Sequence, residues 1–191
     1  DILRRTLAYD GFEIQHIMNM TDIGHLTSDA DDGEDKMVKA LKREGKPMTL
    51  ESLKEVGYFY FEKIREDFEK MHFLPPGKFT FASDHIAEQL DLIDRMDKKG
   101  FVYRTSDGLY FDTYKDAAYG ELGGVCANED HSRIGLNKEK KNPEDFALWK
   151  FADGSSLGFE SKYGSGFPGW HLECSAMAMK YLGDQFDIHT G

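Results

Sequence analysis

The fold is decided by the stretch FEIQHIMNM, residues 12–20, whose apolar residues predict a strand. The strand ends at the polar residues Thr21 and Asp22, and a helical pattern over residues 1–9 precedes it across a turn at 10–11. This order is typical of one unit of a parallel α/β sheet, in which a helix leads through a tight turn into a strand with a polar end. Because ligands of such sheets bind beyond the carboxyl ends of the strands, Thr21 is a candidate binding residue.

Hydrophobic spacing predicts the other elements of an α/β fold. Apolar side chains recur at helical intervals after Thr49, a suitable N-cap, and again after Ser83 and Asp84. Turn residues 106–108 lie between two alternating segments and predict a β-hairpin. The predicted helices cover residues 1–9, 49–71, 83–100 and 171–182, and a further lysine-rich helix is predicted after residue 35. The later strands are predicted at 101–104, 109–112, 146–150 and 186–189. A Gly- and Pro-rich loop is predicted at 164–169.

The order of these elements predicts three regions. Residues 1–78 and 146–191 have the helix and strand pattern of an α/β core. Residues 79–145 contain a helix and a β-hairpin and are predicted to be an insertion into that core. The chain therefore combines a partial α/β core with a helix-plus-β-hairpin insertion.

Composition narrows the class of protein. The 191 residues carry a net charge of −11, with 35 acidic and 24 basic side chains. Because nucleic-acid modules usually present a basic face, this chain is not expected to be the main RNA-binding part of a protein. It has no apolar run long enough for a membrane span. Its two cysteines, Cys126 and Cys174, are too few for a disulfide framework, which predicts a reducing compartment such as the cytoplasm.

The most informative segment is GFPGWHLECSAM, residues 166–177. A Gly-Pro-Gly loop delivers Trp170 and His171 to the first turn of a helix, where free backbone amides favour anions. Cys174 lies near the N-terminal end of that helix, which predicts a depressed thiol pKa and a metal ligand or nucleophile. From the residues alone the alternative is favoured, because a lone cysteine between Leu172 and Met177 is usually a small, inert core residue. Spacing by itself leaves a metal site as the minority interpretation.

The run GWHLECSAM, residues 169–177, closely resembles the signature of cysteinyl-tRNA synthetases. Other segments match the family in the same order along the chain. These are NMTD at 19–22, the NPEDFALWK segment at 142–150, and FDIH at 186–189 followed by Gly191. The resemblance therefore extends from one end of the chain to the other.

This resemblance implies a Rossmann-like class I synthetase core that activates cysteine with ATP and transfers it to tRNA(Cys). It implies one zinc ion per subunit that binds the substrate thiol, with Cys174 as a ligand. Thr21 is expected to hold the amino or carboxylate group of cysteine, and Trp170 to form a wall beside its side chain. The other implied binding residues are His171 and His189 for the substrate and Gly191 for ATP. The resemblance assigns no catalytic acid or base to this stretch.

The chain is expected to be an internal fragment of the catalytic domain, catalytically silent and weak in zinc binding by itself. The other zinc ligands and most of the tRNA contacts are expected outside residues 1–191. A monomer is expected. Two alternatives stay open from the sequence: the related cysteine ligase of mycothiol biosynthesis, which makes the same adenylate, and a non-catalytic relative that keeps only the fold.

Overall fold

The computed structural model describes residues 1–23, 36–121, 138–152, 157–169 and 171–190, and for residues 36 and 37 only the backbone. The predicted α/β fold is confirmed. Its elements are α1 (Ile2–Tyr9), β1 (Ile17–Met20), α2 (Lys36–Glu44), α3 (Leu50–Lys70), β2 (Lys78–Phe81), α4 (Ile86–Lys98), β3 (Val102–Arg104), β4 (Gly108–Phe111), β5 (Phe146–Phe151), β6 (Gly166–Pro168) and α5 (Leu172–Leu182), with short 3-10 turns at Ala82–Asp84 and Thr113–Lys115.

A parallel pair of strands, β1 and β2, carries the residues of interest at its carboxyl end. The two strands align Ile17 with Lys78 and Met20 with Phe81. The predicted strand over residues 12–20 is too long, since only its last four residues pair. Its partner begins directly after the segment Pro75-Pro76-Gly77, and proline has no N–H with which to extend a strand ladder.

Four antiparallel strands form the second sheet, in the order β3-β4-β5-β6. The predicted hairpin is confirmed as β3 and β4, which pair Val102 with Phe111. The predicted loop at 164–169 is wrong in part, because residues 166–168 form the edge strand β6 against β5. A Cβ on Gly166 would lie 2.3 Å from the carbonyl oxygen of Lys150, so this glycine allows close approach of two strands rather than a turn.

Two predicted boundaries also differ. The segment 186–189, predicted as a strand, is irregular, because it pairs with no strand in the described part of the chain. The helix predicted from Ser83 begins at Ile86. The N–H of Ser83 donates to the carboxylate of Asp22 at 2.9 Å instead, which holds residues 82–84 in a 3-10 turn and ties the ends of β1 and β2 together.

Helix α5 lies where two clusters of buried apolar side chains meet. Its Met177 packs in a cluster formed mainly by α2, α3 and the strand ends, which also contains Leu41 and Leu53. Its Leu172 packs in a second cluster with Trp149 and Ile93. Both faces of the first turns of α5 are therefore anchored by burial, which fixes the position of the cysteine between them.

A buried carboxylate joins β3 and the turn after β4 to the segment that leads into β5. Asp145 is 1 % exposed and accepts hydrogen bonds from the hydroxyl of Tyr103, the backbone and hydroxyl of Thr113, and the amide of Asn142. Burial would raise the pKa of Asp145, but these hydrogen bonds outweigh it and hold the pKa below its usual value. Because strands on both sides of residue 145 share one sheet, the predicted region boundaries stay a prediction.

The predicted N-cap of α3 provides a test of local stability. Thr49 Oγ1 accepts the N–H of Ser52 at 3.1 Å and the helix begins at Leu50. Thr49→Ala is expected to lower the free energy of unfolding by about 1 kcal/mol, because one helix N–H loses its acceptor. Urea denaturation followed by circular dichroism measures this change. Thr49→Ser, which keeps the acceptor, should cost less than half as much; equal losses for both variants would contradict the capping role.

Among the described residues, no helix is long and apolar enough to cross a membrane.

Candidate functional site

The thiol of Cys174 meets the end of strand β1. Cys174 lies on the first turn of α5, and Asn19 Nδ2 donates to its Sγ at 3.1 Å across 155 positions of sequence. The same nitrogen lies 3.5 Å from the hydroxyl oxygen of Thr21. On its other side, the Cys174 thiol points to the carboxylate of Glu173, with Sγ 3.8 Å from Oε1. The fold thus brings a thiol to the carboxyl end of a parallel strand.

Burial governs the protonation of this group. Desolvation raises the pKa of Cys174 to about 12, and the neighbouring carboxylate of Glu173 adds to the increase. The predicted depressed pKa is therefore wrong, because desolvation and the carboxylate of Glu173 outweigh the effect of the helix N-terminus. Desolvation likewise raises the pKa of Glu173 to about 7. The side chain is 3 % exposed, and its Oε2 has no hydrogen-bond partner.

A cavity of about 440 Å³ opens beside the thiol. Strand β1, helix α5 and the segment after α5 line it, and Asn19, Cys174, Met177 and His189 contribute side chains. Its size suits a small amino acid with part of a larger ligand. A larger groove of about 1010 Å³ lies along α3 and the end of β2, but it contains neither Cys174 nor His189. The smaller cavity is therefore the better candidate site.

The structure brings some of the predicted site residues together and separates others. Cys174 and His189 line one cavity, and Thr21 is joined to it through Asn19. His171 is exposed, has a left-handed backbone with φ of 80°, and sets its ring against Phe146 outside the cavity. The predictions for Trp170 and Gly191 fall outside the described residues, as does Cys126.

Sequence reasoning missed Asn19. The signal that could have found it is strand alternation, because residues two apart point to the same face of a strand. Once Thr21 is a candidate, Asn19 shares its face. What alternation could not supply is the partner, since the cysteine lies on a helix near the other end of the chain.

The surroundings of Cys174 fit one ligand of a zinc site. Zinc binds thiolates, and an N–H donated to the sulfur favours the charged form. The carboxylate of Glu173, whose Oε1 lies near the sulfur and whose buried Oε2 has no hydrogen-bond partner, would be stabilised by a nearby cation. The described residues contain no group of three His, Cys, Asp or Glu side chains that could hold a metal ion. Further ligands would have to come from elsewhere.

Comparison with known proteins agrees with the sequence motif. The family model described as "tRNA synthetases class I (C) catalytic domain" matches residues 1–191. This chain belongs to that family. Similar curated proteins are cysteine–tRNA ligase 1 of Burkholderia lata, 45% identical over the whole chain, and the cysteine–tRNA ligases of Treponema denticola and Thermus thermophilus, at 43% and 40% over the whole chain.

Membership of the class I (C) synthetase family confirms the resemblance found in the sequence. The chain spans about two-fifths of the length of these relatives, 40% of the first protein and 39% of the other two. Because both matches extend over the whole chain, they cover the two segments that form the site, the end of β1 and the first turns of α5.

Proposed function

We propose that this chain forms the amino-acid-selecting part of a cysteine–tRNA ligase. The whole protein would use ATP to activate cysteine as cysteinyl-adenylate and transfer it to tRNA(Cys). The observation that supports this most strongly is the contact of Asn19 with Cys174, which joins the polar end of β1 to the cysteine of the motif helix. A lone core cysteine needs no polar partner from a strand end, whereas a metal ligand usually has one.

Zinc would allow the enzyme to discriminate between cysteine and serine. A bound zinc ion bonds a soft substrate thiol much more strongly than the hydroxyl of serine, so one contact separates two molecules of nearly the same shape. Pockets that select a substrate only by its size discriminate poorly between two such molecules. Cys174 would hold the metal at one wall of the cavity. The remaining ligands would be contributed by parts of the protein beyond the described residues.

The other site residues would bind and orient the substrate. Thr21, half-buried at the strand end, would hydrogen-bond the amino or carboxylate group of cysteine. Trp170 would form an aromatic wall beside the side chain, and His189 would contribute a polar group from the far side of the cavity. His171, whose exposed ring lies outside the cavity, would be the outermost of these substrate contacts. Orientation of this kind accounts for much of the rate enhancement in carboxylate attack on the ATP α-phosphate.

The acidic composition of the chain supports the proposal that other parts of the protein bind the RNA. A net charge of −11 repels phosphates, so tRNA would be held mainly by segments outside this chain. Gly191 would lie next to bound ATP, where a glycine lets the backbone approach phosphate closely. We propose a cytoplasmic, monomeric enzyme.

The test is ATP–pyrophosphate exchange by the complete protein with its zinc content measured in the same preparation. Exchange is expected with cysteine, at least about 10³-fold weaker with serine, together with about one zinc per chain and transfer of cysteine to tRNA(Cys). Transfer to an amino-sugar acceptor but not to tRNA would assign the mycothiol-type reaction. Absence of exchange from a folded, zinc-loaded protein would assign a non-catalytic relative.

A further inference from the structure

One side-chain amide connects the two residues that the proposed function uses most. Asn19 Nδ2 lies 3.1 Å from Cys174 Sγ and 3.5 Å from Thr21 Oγ1. A side-chain amide nitrogen carries two N–H donors, so one can serve the sulfur and the other the hydroxyl. Asn19 therefore sets the position of the proposed metal ligand relative to the proposed contact for the head group of cysteine.

The proposed role of position 19 requires an asparagine side chain. Aspartate has the same shape but only acceptor oxygens, and its charge would repel a thiolate. An aliphatic residue would leave the sulfur without its donor. Hydrogen bonds to a ligating group orient it and tune its affinity for the metal, and their loss commonly costs 10- to 100-fold in metal affinity.

We propose that Asn19 is a positioning residue that holds the Cys174 sulfur in place for zinc and couples it to Thr21. This inference rests on the proposed function, because it takes Cys174 as a zinc ligand. Asn19 itself lies on the exposed side of β1, so its substitution removes the amide without opening a hole in the core. A loss of zinc affinity would thus come from the missing hydrogen bond rather than from lost packing.

The experiment compares zinc affinity in the complete protein, measured by competition with a chromogenic chelator, for wild type, Asn19→Ala and Asn19→Asp. Both variants are expected to bind zinc about 10- to 100-fold more weakly. The absorption of the Co²⁺-substituted protein provides a second measurement. Its sulfur-to-cobalt band is expected to shift in both variants, because the hydrogen bond to the sulfur is lost.

The matched control is Gln15→Ala. Gln15 is another side-chain amide that ties the segment before β1 to α5, since its Nε2 donates to the backbone oxygen of Tyr181 at 3.1 Å. This hydrogen bond is made to residue 181, about two helical turns after Cys174, so the control should keep wild-type zinc affinity and the wild-type cobalt spectrum even though Gln15 lines the same cavity. An equal loss in Gln15→Ala and Asn19→Ala would mean that docking of α5 is responsible, and the inference would be overturned.

Cys174→Ser separates this inference from the proposed function. If Cys174→Ser loses zinc while Asn19→Ala keeps wild-type affinity and an unshifted cobalt band, the positioning role is wrong and the zinc assignment stands. If Cys174→Ser itself keeps zinc, the metal assignment fails. Weakened zinc binding in Cys174→Ser and in both Asn19 variants, with the control unchanged, supports the inference.

Discussion

Cys174→Ser is expected to remove tightly bound zinc from the complete protein and to abolish its preference for cysteine over serine. Serine keeps the size of the residue and can still accept the N–H of Asn19, so the fold should survive. A neutral hydroxyl is a far poorer zinc ligand than a thiolate. We expect zinc per chain to fall to a small fraction of the wild-type value, and the cysteine-to-serine ratio in ATP–pyrophosphate exchange to fall at least about 10³-fold.

Ser175→Ala provides the control for Cys174→Ser. Ser175 is the next residue on the same turn of α5, but its hydroxyl is exposed and donates to the backbone oxygen of His171 at 3.0 Å. Removing it changes the same helix turn without touching the sulfur. The control should keep zinc and selectivity. Full zinc content and wild-type selectivity in Cys174→Ser would return this residue to the core and refute the proposed role.

Local sequence signals predicted most of the fold. Helix α3 follows its cap at Thr49, and the turn residues 106–108 produce the hairpin, because both depend on neighbours within a few positions. The motif helix begins within one residue of its predicted start. Membership of the class I (C) synthetase family confirms the family resemblance seen in residues 169–177, whereas the roles of the individual residues stay a prediction. Signals of this kind depend only on residues within a few positions of each other in the sequence.

What the sequence could not supply depends on tertiary contacts. The raised pKa of Cys174 arises chiefly from desolvation, which exists only once α5 is packed on the sheet. The partner of the thiol, Asn19, is 155 positions away. For the same reason the segment 186–189 has the composition of a strand without forming one: strand structure requires a paired neighbour as well as suitable residues.

The strand β6 shows how a local signal can mislead. Gly and Pro in residues 164–169 predict a loop, because both are common in turns. Gly166 and Gly169 instead allow the backbone of β6 to lie against β5 with no side chain between them. Glycine can therefore allow either a turn or the close approach of two strands, and only the position of the neighbouring strand distinguishes the two cases.

Gly169→Ala is expected to be the most destabilising single change near the site. A Cβ on Gly169 would lie 1.8 Å from the carbonyl oxygen of Ala147 and 2.4 Å from its carbonyl carbon. Both atoms belong to the backbone of β5, whose Trp149 is fully buried. Moving either atom would therefore disturb the packing of the core and cost free energy. We expect the free energy of unfolding to fall by about 3 kcal/mol or more. Urea denaturation followed by tryptophan fluorescence measures the loss.

Gly77→Ala is the matched control for Gly169→Ala. Both glycines donate their backbone N–H to a carbonyl oxygen, Gly77 to His16 at 2.9 Å and Gly169 to Leu148 at 2.8 Å. A Cβ on Gly77 would meet only the oxygen of His16, at 3.3 Å, so the control should lose less than about 1 kcal/mol. Because β6 leads directly into α5, Gly169→Ala should also weaken zinc binding at Cys174, whereas Gly77→Ala should not. Equal stability of the two variants would contradict the close approach of β6 to β5, and with it the way this strand fixes the start of the motif helix.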